Sequence, residues 1–116
     1  MRHFKLSEFA CKCGCGKAEM NEDTLFKLDF ARHLADIPFV VTSGYRCEAH
    51  NRRVGGKSNS AHTRGYAVDI RVNNSAARYA IIDALMRAGF NRIGIAKTFI
   101  HADDDPSLPP NVIWDY

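Results

Sequence analysis

No stretch of the 116 residues approaches the roughly 18 consecutive apolar positions of a membrane span, so membrane insertion is not expected. The opening MRHFKLSEFACKCGCG is positive at first, but Ser7, Glu8 and Lys12 interrupt any apolar centre of a secretory leader. The expectation is a protein made in the cytosol, which reaches any outside target by means other than a leader of its own. A basic run is also lacking. The 16 Lys and Arg are scattered among 13 Asp and Glu, for a net charge of +3. That argues against a nucleic-acid partner and leaves room for mild attraction to an anionic polymer. No repeat, low-complexity tract or linker divides the chain. At this length one core forms and not two, so residues 1–116 are read as a single domain, expected to be a monomer.

HExxH is absent, which excludes the pair of zinc-binding histidines carried one turn apart on a helix. Cysteine is sparse: Cys11, Cys13, Cys15 and Cys47, without the C-x₂-C spacing of common zinc sites. A cytosolic start argues against a disulfide framework. The plain reading of CKCGC is a tight N-terminal turn of reduced, partly buried, metal-free thiols. The alternatives are three thiolates joining Cys47 in a tetrahedral Cys₄ site, or a pair that oxidises late.

What is present is a regular alternation of elements. Phe4, Leu6 and Phe9 flank a Ser7-Glu8 turn and tuck the N-terminal segment onto the domain. Asn21 caps a helix from Glu22 to Ala35, with Glu22 and Asp23 at its positive end. Leu25, Phe26, Leu28, Phe30, Ala31 and Leu34 give it a broad apolar stripe. FVVTSGYR reads as a buried strand running into a glycine turn, CEAHNRRV as a short helix ended by Gly55-Gly56, and KSNSAHTRG as a polar loop. YAVDIRV is a strand. Asn74 or Ser75 caps a second long helix, Ala76 to Ala88, stopped by Gly89. NRIGIAK and TFIHADD read as two strands, and the rest is a proline-rich tail ending in VIWDY. The expected fold is α+β, a small, largely antiparallel sheet with two long helices.

Alternate residues of a strand share a face. Tyr66, Val68 and Ile70 are expected toward the core, with Gly65, Ala67 and Asp69 on a face stripped of bulk. In the later strand Phe99, His101 and Asp103 share one face, and Thr98, Ile100 and Ala102 the other. His62, from the polar loop, lies just upstream of Asp69. Two imidazoles and a carboxylate form the His₂-carboxylate set of catalytic zinc, with a fourth position open to water. Zinc lowers the pKa of such a water to about 7. His3 and His33 read as surface residues. His50 is the rival third imidazole and otherwise a packing residue.

The stretch SGYRCEAHNRRVGGKSNSAHTRGYAVDI resembles the core of the D-alanyl-D-alanine carboxypeptidase-type zinc peptidases. These share a fold with hedgehog signalling domains and include small phage endolysins that cut peptidoglycan peptides. The family pattern is an S-x-Y-R turn, a downstream Asn, then S-x-H and, seven residues after the His, an Asp. Ser43, Tyr45, Arg46, Asn51, Ser60, His62, Gly65, Ala67 and Asp69 match it. FIHADDD resembles the later ligand strand, and KLSEFACKCGCG the start of the short, single-domain branch. The resemblance implies Zn²⁺ held by His62, Asp69 and His101, Arg46 facing the substrate, and Ser60 orienting a ligand or touching substrate. Many members carry an acid three residues before the last His as general base, where this chain has Thr98. Asp103 is the nearest replacement, and Asp104 a weaker one.

The function implied is zinc-dependent hydrolysis of peptidoglycan stem or cross-link peptides, as a D-Ala-D-Ala carboxypeptidase or endopeptidase of endolysin type acting on the cell wall, or in the cytosol. One alternative is a non-catalytic, zinc-stabilised module that binds wall or protein, which Thr98 favours. Another is a Cys-zinc nucleic-acid module, which would need a basic surface.

Overall fold

Asn21 starts the first long helix, its side-chain oxygen accepting from the Thr24 N–H at 3.1 Å. In the computed structural model, which describes residues 1–116, this helix (α1) runs Glu22–Ala35. It stops at Asp36, which takes the left-handed conformation at φ 55° that asparagine and aspartate tolerate better than most side chains. The second long helix (α3), Ser75–Ala88, is capped by Asn74, which accepts from the Ala77 N–H at 2.8 Å, and ends on Gly89. Between them lies the short α2, Glu48–Arg53. One-turn 3₁₀ segments form at Leu6–Phe9 and Ala61–Arg64.

Five strands form one sheet: β1 Val41–Ser43, β2 Ala67–Arg71, β3 Arg92–Ile95, β4 Phe99–Asp103 and β5 Val112–Asp115, in the order β1-β2-β4-β3-β5. Every pairing is antiparallel except β3 with β5. The α+β, largely antiparallel expectation holds. The fifth strand is an addition, because the tail was read only as proline-rich. The chain leaves β4, passes the end of β3 and returns beside it, Val112 N–H donating to the Asn91 carbonyl at 3.1 Å and Tyr116 N–H to that of Ile95 at 3.2 Å.

The period-2 alternation of the strands separates two faces. Val68, Ile70, Ile93, Ile100 and Ala102 pack with Leu25, Leu28, Ala31, Ile81, Ala84 and Leu85 of the paired helices α1 and α3. The opposite face carries the polar residues considered next. The apolar stripe of α1 is narrower than expected, since Phe26 and Phe30 are 74% and 45% exposed. Tyr66, expected on the core face, precedes β2 and is only half-buried. No helix is long and apolar enough to cross a membrane.

The N-terminal segment is part of the core through Phe4 and Phe9, whose rings lie 5.5 Å apart. Leu6, expected with them, points outward. Phe9 is held at the turn after β1: its carbonyl accepts from Tyr45 N–H at 2.9 Å. A β-carbon on Gly44 would come within 2.7 Å of the Phe9 Cα, which is backbone and cannot swing aside. Gly44→Ala is therefore expected to lower unfolding stability by about 1–3 kcal/mol. A urea titration measures it, and an unchanged midpoint would mean that the segment is not docked there.

Candidate metal centre

Three elements bring one donor each to the polar face. His62 comes from the Ala61–Arg64 turn, which Ser60 opens by accepting from the His62 N–H at 3.2 Å and Gly65 closes at φ 81°. Asp69 and His101 stand directly opposite each other in the β2–β4 register. The donor atoms of the three residues lie within 4.8 Å of one another, and all three residues are buried.

Hydrogen bonding decides which atoms face inward. The Gly44 carbonyl, 2.8 Å from His62 Nδ1, can only accept, so Nδ1 carries the proton. His62 Nε2 is then a lone pair, 3.3 Å from Asp69 Oδ1. His101 Nδ1 is 3.0 Å from the same oxygen, and its Nε2 is 2.7 Å from Asp103 Oδ2. With Nε2–H donating to Asp103, Nδ1 is free as a ligand. Two nitrogen lone pairs and a carboxylate oxygen, aimed at one point, repel unless a cation lies between them. This donor set suits a tetrahedral zinc-type ion with one position open. Burial pushes the Asp69 carboxyl up, but the two imidazoles beside it, His101 and His62, hold it well below the ordinary carboxylate range. Burial opposes protonation of His101, yet Asp103 and Asp69 on either side raise it above the ordinary imidazole value.

Around the centre lies a cavity of about 530 Å³, in the range of small-molecule and peptide sites. Arg46 is held on three sides: its Nε donates to Ser43 Oγ at 2.9 Å, Nη1 to Asn51 Oδ1 at 3.2 Å, and Nη2 to Asp69 Oδ2 at 3.3 Å. Two of a guanidinium's five N–H groups thus remain for a ligand. Ser60 lines the same cavity.

The acidic run after His101 divides three ways. Asp103 is fully buried, with His101 on one oxygen, and Arg92 Nε 2.9 Å from the other as an ion pair without hydrogen-bond alignment. Asp104 turns away to α1, accepting from Thr24 Oγ1 at 2.6 Å and Lys27 Nζ at 3.0 Å. Asp105 binds Arg64, whose Nε donates at 2.7 Å. Thr98 lies outside the cavity, in a shallow groove with Thr42 and Arg71. His50 is not in the centre, and His3 and His33 stack on each other away from it.

The sequence reading missed Arg92, Trp114 and Tyr116, all of which line the cavity. Trp114 packs 5.4 Å from the His101 ring, and Arg92 sits over its indole at 5.3 Å. The signal was present for Arg92: in NRIGIAK it alternates with Gly94 on the face opposite Ile93 and Ile95, and it pairs with Asp103 across the sheet.

A family model described as Peptidase M15 matches residues 2–103. The zinc D-Ala-D-Ala carboxypeptidase of Streptomyces albus G is 38% identical over 71 residues, which is 60% of this chain and 28% of that protein. The chain thus spans under a third of that relative's length.

If the three donors act together, His62→Ala and His101→Ala should each bind one equivalent of zinc fewer than the wild type, in titration against a chromogenic chelator. Undiminished binding in both would remove the assignment.

Proposed function

The chain belongs to the peptidase M15 family, and on that premise we propose that it is a zinc-dependent peptidase hydrolysing peptidoglycan stem or cross-link peptides, with His62, Asp69 and His101 as the metal ligands. The observation that carries the reading is the convergence of His62 Nε2, Asp69 Oδ1 and His101 Nδ1 beside a guanidinium with free donors. Zinc, when bound, supplies a Lewis acid for the scissile carbonyl and an acidified water. Arg46 pairs with a substrate carboxylate or with the oxyanion that develops on the carbonyl, its fork fixed beforehand by Ser43, Asn51 and Asp69. Ser60 stabilises the turn that aims His62 and offers its hydroxyl toward a substrate amide. Trp114 and Tyr116 wall the cavity.

Arg46 and Arg92 offset Asp69 and Asp103 in this lining and Lys57 adds a positive charge, which favours a peptide whose free carboxylate is near the scissile bond, as at a D-Ala-D-Ala terminus. Endopeptidase action on cross-links, in the manner of an endolysin, is the same chemistry on a longer substrate.

Asp103, the base in the sequence reading, has contacts that support a different part. One oxygen faces His101 Nε2, the other faces Arg92 and the Asp105 N–H, and the imidazole ring separates it from Nδ1. We read it as a positioning residue that keeps His101 in the ligating tautomer.

A second reading, a zinc-stabilised binding module, is favoured by Thr98, which stands where an acid would serve as base and lies outside the cavity.

The deciding experiment is incubation of the zinc-loaded protein with purified peptidoglycan and with a peptide ending in D-Ala-D-Ala, followed by mass spectrometry. Release of D-alanine or of cut stem peptides is expected. Intact substrate with zinc bound would favour the binding module. Arg46→Lys should keep its zinc and lose more than about tenfold in kcat/KM, or about 1.4 kcal/mol, because an ammonium lacks the planar fork. Asp103→Asn should weaken zinc affinity by about 10–100-fold. Unchanged affinity with turnover lowered by about 10²–10⁴ would instead restore Asp103 as the base.

A further inference from the structure

The four cysteines that the sequence spacing argued against as a metal site converge on one point. Cys11 Sγ lies 3.4 Å from Cys13 Sγ and 3.8 Å from Cys47 Sγ, and Cys13 Sγ lies 3.7 Å from Cys47 Sγ. Cys15 joins them, all four sulfurs falling within 4.8 Å of one another, and none is in a disulfide. We propose that Cys11, Cys13, Cys15 and Cys47 form a second, tetrathiolate zinc site, which fastens the N-terminal turn to the loop carrying Arg46.

The distances favour a shared ion over chance crowding. A tetrahedral zinc with bonds near 2.3 Å requires sulfur–sulfur edges of about 3.8 Å, and the three closest pairs are within a few tenths of an ångström of that. Alternate residues of an extended segment would lie roughly 6.6 Å apart, so Cys11, Cys13 and Cys15 meet only because the chain coils. Gly14, at φ 88°, bends the chain between Cys13 and Cys15, and Gly16, at φ 79°, turns it back after Cys15 so that the Lys17 carbonyl accepts from Cys11 N–H at 2.8 Å; this region is open to glycine and strained for most other residues. Their added β-carbons would meet nothing within 4 Å, so the requirement is conformational and not one of space. Backbone donors also face the sulfurs: Cys47 N–H reaches Cys11 Sγ at 3.4 Å, and His50 N–H reaches Cys47 Sγ at 3.5 Å. Such donors suit thiolates that share their charge with a metal. An all-thiolate tetrahedron without an open position is the donor set of structural zinc.

The location gives the site a purpose. Cys47 directly follows Arg46, and Tyr45, on the other side, is bonded to Phe9 two residues before Cys11. A metal at the four sulfurs would cross-link residues 36 apart in sequence and fix both ends of the turn from which Arg46 reaches Asp69.

The test uses the whole protein purified under reducing conditions. Elemental analysis is expected to give two zinc per chain in the wild type and one in each of Cys15→Ser and His62→Ala. Cys15 is exposed, so its replacement leaves packing intact, and circular dichroism checks this. Cobalt(II) substitution of the wild type and of His62→Ala should give the near-ultraviolet thiolate-to-metal charge-transfer band, and Cys15→Ser should weaken it. Absence of that band from the folded wild type overturns the proposal, as does a disulfide among these cysteines in a non-reducing peptide map of the same preparation. Iron recovered in place of zinc overturns the choice of metal.

Discussion

The antiparallel register that sets Asp69 opposite His101 is the constraint from which the rest follows. A strand has a side-chain period of two, so a slip of one residue would exchange its faces. Here that would push Asp69 into the space of Val68 and Ile70, against the helix pair, and turn those aliphatic side chains out to the cavity. The burial that drives folding and the meeting of Asp69 with His101 are therefore one event. The neighbouring strand conforms: Gly94, across from His101, has no side chain to occupy the face, and the Trp114 ring lies over the room it leaves.

Each of the three converging side chains is oriented by a group outside the trio. The Gly44 carbonyl fixes His62, Asp103 fixes His101, and Arg46 holds the outer oxygen of Asp69. Two of these supports, Gly44 and Arg46, come from the one short turn between β1 and α2, and the third, Asp103, from the end of β4. Gly44 is itself pressed against Phe9, so the orientation of an imidazole depends on how the N-terminal aromatic residues seat in the core.

Much of this was legible because it obeys short-range rules. Asn21 and Asn74 announce their helices by capping, and the alternation in TFIHADD puts His101 and Asp103 on one face. The motif around His62 and Asp69 carried the family. What was not legible depends on partners distant in sequence. β5 is short and mostly exposed, so it has no buried-exposed rhythm, and Pro109-Pro110 disguise it as a tail. Without β5, Trp114 and Tyr116 had no place in the site. Asp103 was visible as a carboxylate near the centre, but its part depends on Arg92, which arrives from another strand. The cysteines have the wrong sequence spacing for a familiar site yet their sulfurs converge, helped by left-handed Gly14, which bends the chain between Cys13 and Cys15.

The cavity wall holds two carboxylates, and each faces a guanidinium: Asp69 with Arg46 at 3.3 Å, and Asp103 with Arg92 at 2.9 Å. The fixed charges of the wall thus offset one another in pairs, and a divalent ion placed there would keep most of its outward field. At physiological ionic strength such a field reaches about 8 Å before salt screens it, far enough to act on molecules still outside the mouth. An anionic group would be drawn in first and a cationic one turned aside, so the orientation of a charged molecule would be selected during approach. Added salt would slow that capture more than it loosened a molecule already seated out of the solvent.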